Sequence, residues 1–164
     1  MKLYIVRHDR AIESRGGVPD ALRHLTAKGR ACTRATARAA RDAGMAVDAI
    51  VTSPMVRAVQ TADLLAEGLG YVGAVAADPE LARGIYAPDL PVFLEPYADC
   101  RGLAIVGHNP HLTGLVGELL GLSGNFCMKK GSIVAIDLPG GKRFRDARYL
   151  WMSADGKIDD AEPE

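Results

Sequence analysis

Short apolar runs alternate along the chain with segments whose apolar residues recur every three or four positions. The runs are rich in residue types that favour strands. In the segments between the runs, the spacing of the apolar residues is typical of amphipathic helices. The runs predict strands at 3–6, 49–52, 72–76, 103–106, 132–138 and 148–152, with the last two joined through Pro139-Gly140-Gly141. The periodic segments predict helices at about 26–43, 54–67, 89–97 and 110–120, and Thr26 is the expected N-cap of the first of them.

This alternation predicts an α/β fold, a three-layer α/β/α sandwich with helices on both faces of a mostly parallel central sheet. Right-handed crossovers would bring the C-terminal ends of the parallel strands to one edge of that sheet. Residues 1–154 contain no linker or repeat and are expected to form a single domain. Residues 155–164 are polar and acidic, and we expect a flexible tail there. The loop at 11–22 is positioned to lie over the sheet edge.

Composition excludes several classes of function. The 164 residues carry 20 Lys and Arg against 20 Asp and Glu, so nothing in the net charge favours nucleic-acid binding. No apolar run is long enough to suggest a membrane span, and none resembles a signal peptide. Cys32, Cys100 and Cys127 are widely spaced and show neither a disulfide nor a zinc pattern. A cytoplasmic location follows as the default expectation.

Charged and polar side chains stand directly after three of the predicted strands. The first strand ends in Arg7-His8, the second in Ser53-Pro54 with Arg57 one turn on, and the fourth in His108-Asn109-Pro110. Serine and asparagine are favourable N-caps and proline fits the first helical turn, so a helix is expected to start at each of the last two motifs. Helix N-termini attract anions, and the crevice at the carboxyl ends of such strands is where ligands bind.

These residue types suit metal-independent chemistry on a phosphoryl group. A neutral imidazole can attack phosphorus and hold the group covalently, and the charges of Arg7 and Arg57 would keep His8 neutral. The two guanidinium groups can fork onto phosphate oxygens, and His108, if protonated, supplies a third donor. No metal ion or cofactor is then needed to balance the charge.

At these residues the chain resembles the histidine phosphatase superfamily, with the phosphoglycerate mutase-like fold. The resemblance covers about residues 1–152, and its motifs are Val6-Arg7-His8-Asp9, Thr52-Ser53-Pro54-Met55-Val56-Arg57-Ala58-Val59-Gln60-Thr61 and Val106-Gly107-His108-Asn109-Pro110. The small size points to the phosphohistidine phosphatase branch, the SixA type. The resemblance implies that His8 forms the phosphohistidine intermediate and that Arg7, Arg57 and His108 form the phosphate pocket.

The same resemblance implies a substrate and leaves the general acid open. The substrate would be a phosphohistidine-bearing protein, for example a phosphotransfer domain, and short loops suit such a substrate. Asp9 departs from the glycine that is usual in the superfamily. Glu80 is the candidate general acid, with Asp9, Glu13 and Asp20 as others. The lack of an obvious acid favours phosphohistidine, because imidazole leaves more readily than an alkoxide.

Three alternatives remain beside a protein phosphohistidine phosphatase. One is a phosphomonoesterase of the same mechanism that acts on a small phosphorylated substrate. Another is a non-catalytic, phosphate-binding regulatory module. A metallohydrolase that uses His8, Asp9, His108 and His111 is disfavoured, since Arg7 and Arg57 would repel a cation.

Overall fold

One strand, β1 (Lys2–Arg7), lies inside the sheet with hydrogen-bonded neighbours on both sides. The side chains of residues 3–6 are at most 3% exposed, as expected where both faces of a sheet are covered. The last residue of this strand is Arg7, so His8 is the first residue to leave the sheet. The apolar run therefore ends where the sequence pattern predicts.

The computed structural model describes residues 1–122, 124–139 and 146–163. The further strands within them are β2 (Ala49–Thr52), β3 (Val75–Ala77), β4 (Gly102–Gly107), β5 (Ile133–Asp137), β6 (Arg148–Ala154) and β7 (Lys157–Asp159). They form a seven-stranded sheet in the order β3-β2-β4-β1-β5-β6-β7.

The sheet is mixed, and its parallel part is smaller than expected. In the described part of the chain β3, β2, β4 and β1 are mutually parallel, whereas β5, β6 and β7 are antiparallel to their neighbours. The reason lies in the segment before β5. It carries the chain back to the C-terminal edge of β1, where the Gly131 N–H donates to the His8 carbonyl at 3.2 Å, so β5 must run in the opposite direction.

Helices cover both faces of the sheet, which confirms the three-layer α/β/α architecture. On one face lie α1 (Ala27–Asp42) and α2 (Val56–Leu69), whose alanine-rich surface packs against Tyr4 and Val6. On the other lie α3 (Glu80–Arg83), α4 (Leu90–Phe93) and α5 (His111–Leu120). No helix in these described segments is long and apolar enough to cross a membrane.

The expected helix caps are right for α1 and wrong for α2 and α5. Thr26 caps α1 through its hydroxyl, which accepts from the Gly29 N–H at 3.0 Å. By contrast, α2 begins only at Val56 and α5 only at His111, so neither Ser53 nor Asn109 is an N-cap. Both side chains have other partners: the Ser53 hydroxyl bonds a histidine ring, and the Asn109 amide donates to a loop carbonyl.

The expected flexible tail is wrong for part of its length. Residues 157–159 form β7, which pairs with β6, and the Tyr149 hydroxyl donates to the Asp159 carbonyl at 2.8 Å. The turn between these strands is Asp155-Gly156, with φ angles of 50° and 75°. Two such positive angles in a two-residue loop are typical of a hairpin. The connection expected through Gly140-Gly141 lies outside the described residues.

Candidate active site

The register of the parallel strands brings the three polar motifs to one edge. Arg7 at the end of β1 lies opposite Gly107 at the end of β4, and Thr52 at the end of β2 lies opposite Val106. The hydrogen bond from the His8 N–H to the Gly107 carbonyl, at 3.2 Å, continues the pairing one step beyond β1. The residues that follow the three strands are therefore neighbours, as the sequence pattern predicts.

The His8 ring is held at both of its nitrogens. Nδ1 lies 2.7 Å from the backbone carbonyl oxygen of Asp9, and Nε2 lies 3.3 Å from Arg57 Nε. A carbonyl oxygen can only accept a hydrogen bond, and a guanidinium nitrogen can only donate one. We therefore assign the proton of the neutral ring to Nδ1, which leaves a lone pair on Nε2.

Burial keeps this ring neutral, and two guanidinium groups add to the effect. Removal from water lowers the pKa of His8, the charges of Arg57 and Arg7 lower it further, and the hydrogen bond to the Asp9 carbonyl opposes them. The result is a pKa of about 4. At neutral pH, His8 is therefore unprotonated at Nε2, the state that a nucleophile requires.

Arg57 is almost completely buried, with 6% of its surface exposed, and its guanidinium group faces the His8 ring. It lies in the first turn of α2. Its Nη1 donates to the backbone carbonyl of Asp20 at 2.7 Å, and its Nη2 donates to the carboxylate of the same residue at 3.1 Å. The loop at 11–22 thus reaches the site, as its position in the sequence suggests.

His108 lies beside His8, with 5.0 Å between the ring centroids. Its Nε2 is 2.7 Å from the Ser53 hydroxyl, while its buried Nδ1 has no hydrogen-bond partner among the described residues. Burial, followed by the charge that His8 carries once it is protonated in acid and by the charge of Arg57, lowers the pKa of His108 to about 3. The His108 ring is therefore neutral at neutral pH, whereas the sequence-based hypothesis required it to be protonated.

Arg7 lies close enough for its charge to lower the pKa of His8. Its Nη1 donates to the Met128 carbonyl, in the loop before β5. Its Nε is buried and has no partner in the part of the chain that the structure describes. A buried donor without a partner is costly, and one explanation is that an anionic ligand supplies the acceptor.

Glu80, the candidate acid, bonds a neighbour on its own helix. Its carboxylate accepts from Arg83 at 2.6 Å, and just over half of its side chain is exposed. None of the hydrogen bonds among the described residues links it to His8, Arg57 or His108. Its role as an acid stays a prediction.

Two contacts of the site escape sequence reasoning. Asp20 is one of the candidate acids from the sequence, but its carboxylate pairs with two arginines. Arg57 donates to Oδ2, and Arg23 donates to Oδ1 at 2.9 Å. Ser53 bonds His108 instead of capping a helix. Neither contact has a local signal, because the partners are far apart in the chain. Asp20 and Arg23 are three residues apart, but this spacing is also typical of ordinary surface ion pairs, so it does not indicate a functional contact.

Among the described residues, no group of three or more His, Cys, Asp or Glu side chains is placed to hold a metal ion. His111, which the metallohydrolase alternative needs, packs its ring edge-on against Tyr86 with 5.5 Å between centroids.

Comparison with known proteins agrees with this geometry. Residues 3–82 match the histidine phosphatase superfamily (branch 1). An uncharacterized protein of Picosynechococcus is 34% identical over 120 residues, which cover 68% of each chain. The chain belongs to the histidine phosphatase superfamily, and it is an enzyme of the histidine phosphatase class.

Solved structures share the fold along almost the whole chain. The protein histidine phosphatase SixA, complexed with tungstate, has a TM-score of 0.80 at 21% identity and covers 94% of this chain and 97% of its own. The alpha-ribazole phosphatase of Shigella flexneri has a TM-score of 0.66 at 18% identity, covering 98% and 96%. A mycobacterial glucosyl-3-phosphoglycerate phosphatase has 0.66 at 17%, covering 99% of both chains. These similarities confirm the phosphoglycerate mutase-like fold.

Proposed function

We propose that this chain is a phosphatase that removes the phosphoryl group from phosphohistidine on a protein, through a phosphohistidine intermediate on His8. One observation carries the proposal: the His8 ring is held with Nδ1 2.7 Å from the Asp9 carbonyl oxygen and Nε2 3.3 Å from Arg57 Nε. A nucleophile and a cationic group that binds phosphate thus share one space.

The reaction would proceed in two displacements. In the first, the Nε2 lone pair of His8 forms a bond to phosphorus, and the P–N bond of the substrate breaks with its electron pair on the leaving imidazole, which departs as a neutral ring because its other nitrogen carries a proton. The resulting positive charge on the His8 ring is stabilised by the hydrogen bond from Nδ1 to the Asp9 carbonyl, at 2.7 Å. In the second, water attacks phosphorus, the P–Nε2 bond breaks with its electron pair returning to Nε2, and both protons of the water leave with the product as dihydrogen phosphate.

Arg57, Arg7 and His108 would hold the phosphoryl oxygens. Two guanidinium groups spread charge over these oxygens, and the neutral His108 ring adds an N–H donor. This set balances the charge of the group without a metal ion or other cofactor. We therefore expect turnover to be unchanged after treatment with a chelator.

The substrate class follows from the state of the carboxylates. The Asp20 carboxylate that contacts Arg57 is held ionised by its arginine partners, which lower its pKa, and Glu80 is paired with Arg83. Asp20 is therefore not a ready proton donor, and no hydrogen bond among the described residues links Glu80 to His8, Arg57 or His108, so a leaving group that needs little acid assistance fits best. The imidazole of phosphohistidine is such a group. The name of SixA, a protein histidine phosphatase of the same fold, supports this choice.

We infer that the partner is a phosphohistidine-bearing protein, such as a phosphotransfer domain, in the cytoplasm. The three cysteines are free thiols in the structure, which suits a reducing compartment.

The test is to trap the intermediate. The protein is mixed with a phosphohistidine peptide, quenched, and analysed for acid-labile phosphate on His8. We expect the label on wild type and on His24→Ala, a matched variant of a histidine outside the site, and no label on His8→Ala. Full turnover by His8→Ala, or loss of wild-type turnover after chelation, would overturn the proposal.

A phosphomonoesterase of the same mechanism is the second candidate. The alpha-ribazole and glucosyl-3-phosphoglycerate phosphatases, which share the fold, act on small molecules according to their names. A panel of phosphorylated metabolites, compared with the phosphohistidine peptide by kcat/KM, separates the two. A strong preference for one metabolite would favour the second candidate.

A further inference from the structure

Arg57 already has a partner inside the protein for each of its three side-chain nitrogens. Nε donates to His8 Nε2, Nη1 to the Asp20 carbonyl, and Nη2 to Asp20 Oδ2, with Met55 Sδ also 3.0 Å from Nη2. These contacts use at least three of the five N–H bonds of the guanidinium group, so two phosphoryl oxygens bound in a fork would compete with them. The anionic partner of Arg57 in this structure is thus the protein's own carboxylate.

The Asp20 carboxylate bridges two cations. Oδ2 accepts from Arg57 at 3.1 Å, and Oδ1 accepts from Arg23 at 2.9 Å. The hydrogen bond from Arg23, followed by that from Arg57, lowers the pKa of Asp20. Asp20 is therefore an anion at neutral pH, and it neutralises part of the positive charge that Arg7, Arg23 and Arg57 gather around His8.

Of the two partners, Asp20 is the one whose side chain is exposed to solvent. The side chain of Arg57 is 8% exposed, whereas that of Asp20 is 56% exposed. Asp20 begins a 3₁₀ turn, Asp20–Leu22, that contains no buried residue. Its backbone carbonyl keeps a separate 2.7 Å contact with Arg57, so the carboxylate can rotate into solvent while the turn stays in place.

We propose that the Asp20 carboxylate occupies the phosphoryl site of the free protein as an internal anion, which a phosphorylated substrate or inorganic phosphate must displace from Arg57. This inference rests on the proposed function of the same site. A phosphoryl dianion carries more charge than a carboxylate, so it can displace the Asp20 carboxylate from Arg57. The return of the carboxylate then opposes rebinding of the product, so Asp20 sets the affinity for substrate and for phosphate.

The experiment uses Asp20→Asn, which keeps the size of the side chain and an oxygen that can accept from Arg57, but removes the charge. Asp63→Asn is the matched control, because Asp63 is an exposed carboxylate further along α2, the helix that carries Arg57. Binding of inorganic phosphate is measured by calorimetry, and turnover of the phosphohistidine peptide is measured in parallel.

We expect inorganic phosphate to bind about tenfold more tightly to Asp20→Asn, the size of effect that one charge-assisted hydrogen bond has on affinity. KM for the peptide should fall with it, while kcat should not rise, since product release becomes slower. Asp63→Asn should match wild type in every measurement. Asp20→Glu, which restores the charge, should bind phosphate more weakly than Asp20→Asn.

Unchanged or weaker phosphate binding by Asp20→Asn, in a protein that still turns over the peptide, would overturn this inference and leave the proposed function intact. A tenfold gain shared by Asp63→Asn would also overturn it, because the effect would then be one of net charge. If wild type and all variants neither bind phosphate nor turn over the peptide, the inference and the proposed function both fail. Thermal unfolding of each variant shows that the comparison is between folded proteins.

Discussion

The carboxylate of Asp9 fills the space that a β-carbon on residue 131 would need. An ideal β-carbon built on Gly131 would lie 2.1 Å from Asp9 Oδ2. Asp9 is only 1% exposed. Its carboxylate accepts hydrogen bonds from the Arg10 backbone N–H at 2.5 Å and from Arg10 Nη1 at 3.1 Å. The Asp9 side chain thus packs against Gly131 and bonds Arg10, while the Asp9 backbone carbonyl accepts the hydrogen bond from the His8 ring.

Gly131→Ala should destabilise the wild-type protein more than it destabilises an Asp9→Gly variant. In wild type the new methyl group meets the carboxylate, and the φ of 72° adds strain; in the Asp9→Gly background only the strain remains. A double-mutant cycle by urea unfolding should give a coupling of about 1–3 kcal/mol between the two positions. Additive effects would contradict the close packing of Asp9 and Gly131.

The pH dependence of the free protein should reflect the neutral His8 ring. Because burial is the largest cause of its lowered pKa, an NMR titration should give a midpoint at about 4 in wild type and one still below the ordinary value of about 6.5 in Arg57→Gln. The unfolded chain takes up the proton near pH 6.5, so stability should fall as the pH drops from there toward 4. A midpoint at the ordinary value would be incompatible with a buried, neutral ring.

Much of this site follows from patterns of adjacent residues, and the rest depends on contacts between distant ones. The strand before His8 and the Thr26 cap of α1 have local causes and are predicted well. Ser53 carries a good local signal for a cap, but the His108 ring, 55 positions away, takes its hydroxyl instead. Asp20 has no local feature that indicates its bond to Arg57.

The hairpin at the end of the described chain is a different case, because a local signal exists there. Asp155-Gly156 is a strong two-residue turn sequence, yet the acidic composition of the segment favours a flexible tail. The pairing of residues 157–159 with β6 shows that the turn chemistry outweighs the composition.

Arg57→Lys should lower kcat/KM for a phosphohistidine peptide by about 10²–10³-fold, because an ammonium group cannot reproduce the planar fork that binds two phosphoryl oxygens beside His8. The matched control is Arg34→Lys, since Arg34 also pairs with a carboxylate, that of Glu67 at 3.8 Å, but on the helix surface. That variant should keep wild-type kinetics. Near-normal turnover by Arg57→Lys would show that a single point charge suffices.

Ser53→Ala should cost about 1–3 kcal/mol of stability, because it leaves both His108 Nε2 and the Met55 backbone N–H without the hydroxyl that they contact. Ser153→Ala is the control: Ser153 is equally buried, but its hydroxyl has no partner among the described residues, so its removal should cost little. Urea unfolding measures both. Equal losses in the two variants would indicate that packing, and not the bond to His108, makes Ser53 important.

The position of β1 between β4 and β5 has a consequence for how the enzyme loses activity. Backbone groups just before and at His8 are bonded to both neighbouring segments, so this stretch cannot fray by itself. Amide exchange at residues 3–7 should be as slow as the slowest in the protein. Heat or denaturant would then abolish turnover only in the transition that unfolds the whole sheet. We expect no earlier stage in which the sheet is folded but His8 is displaced.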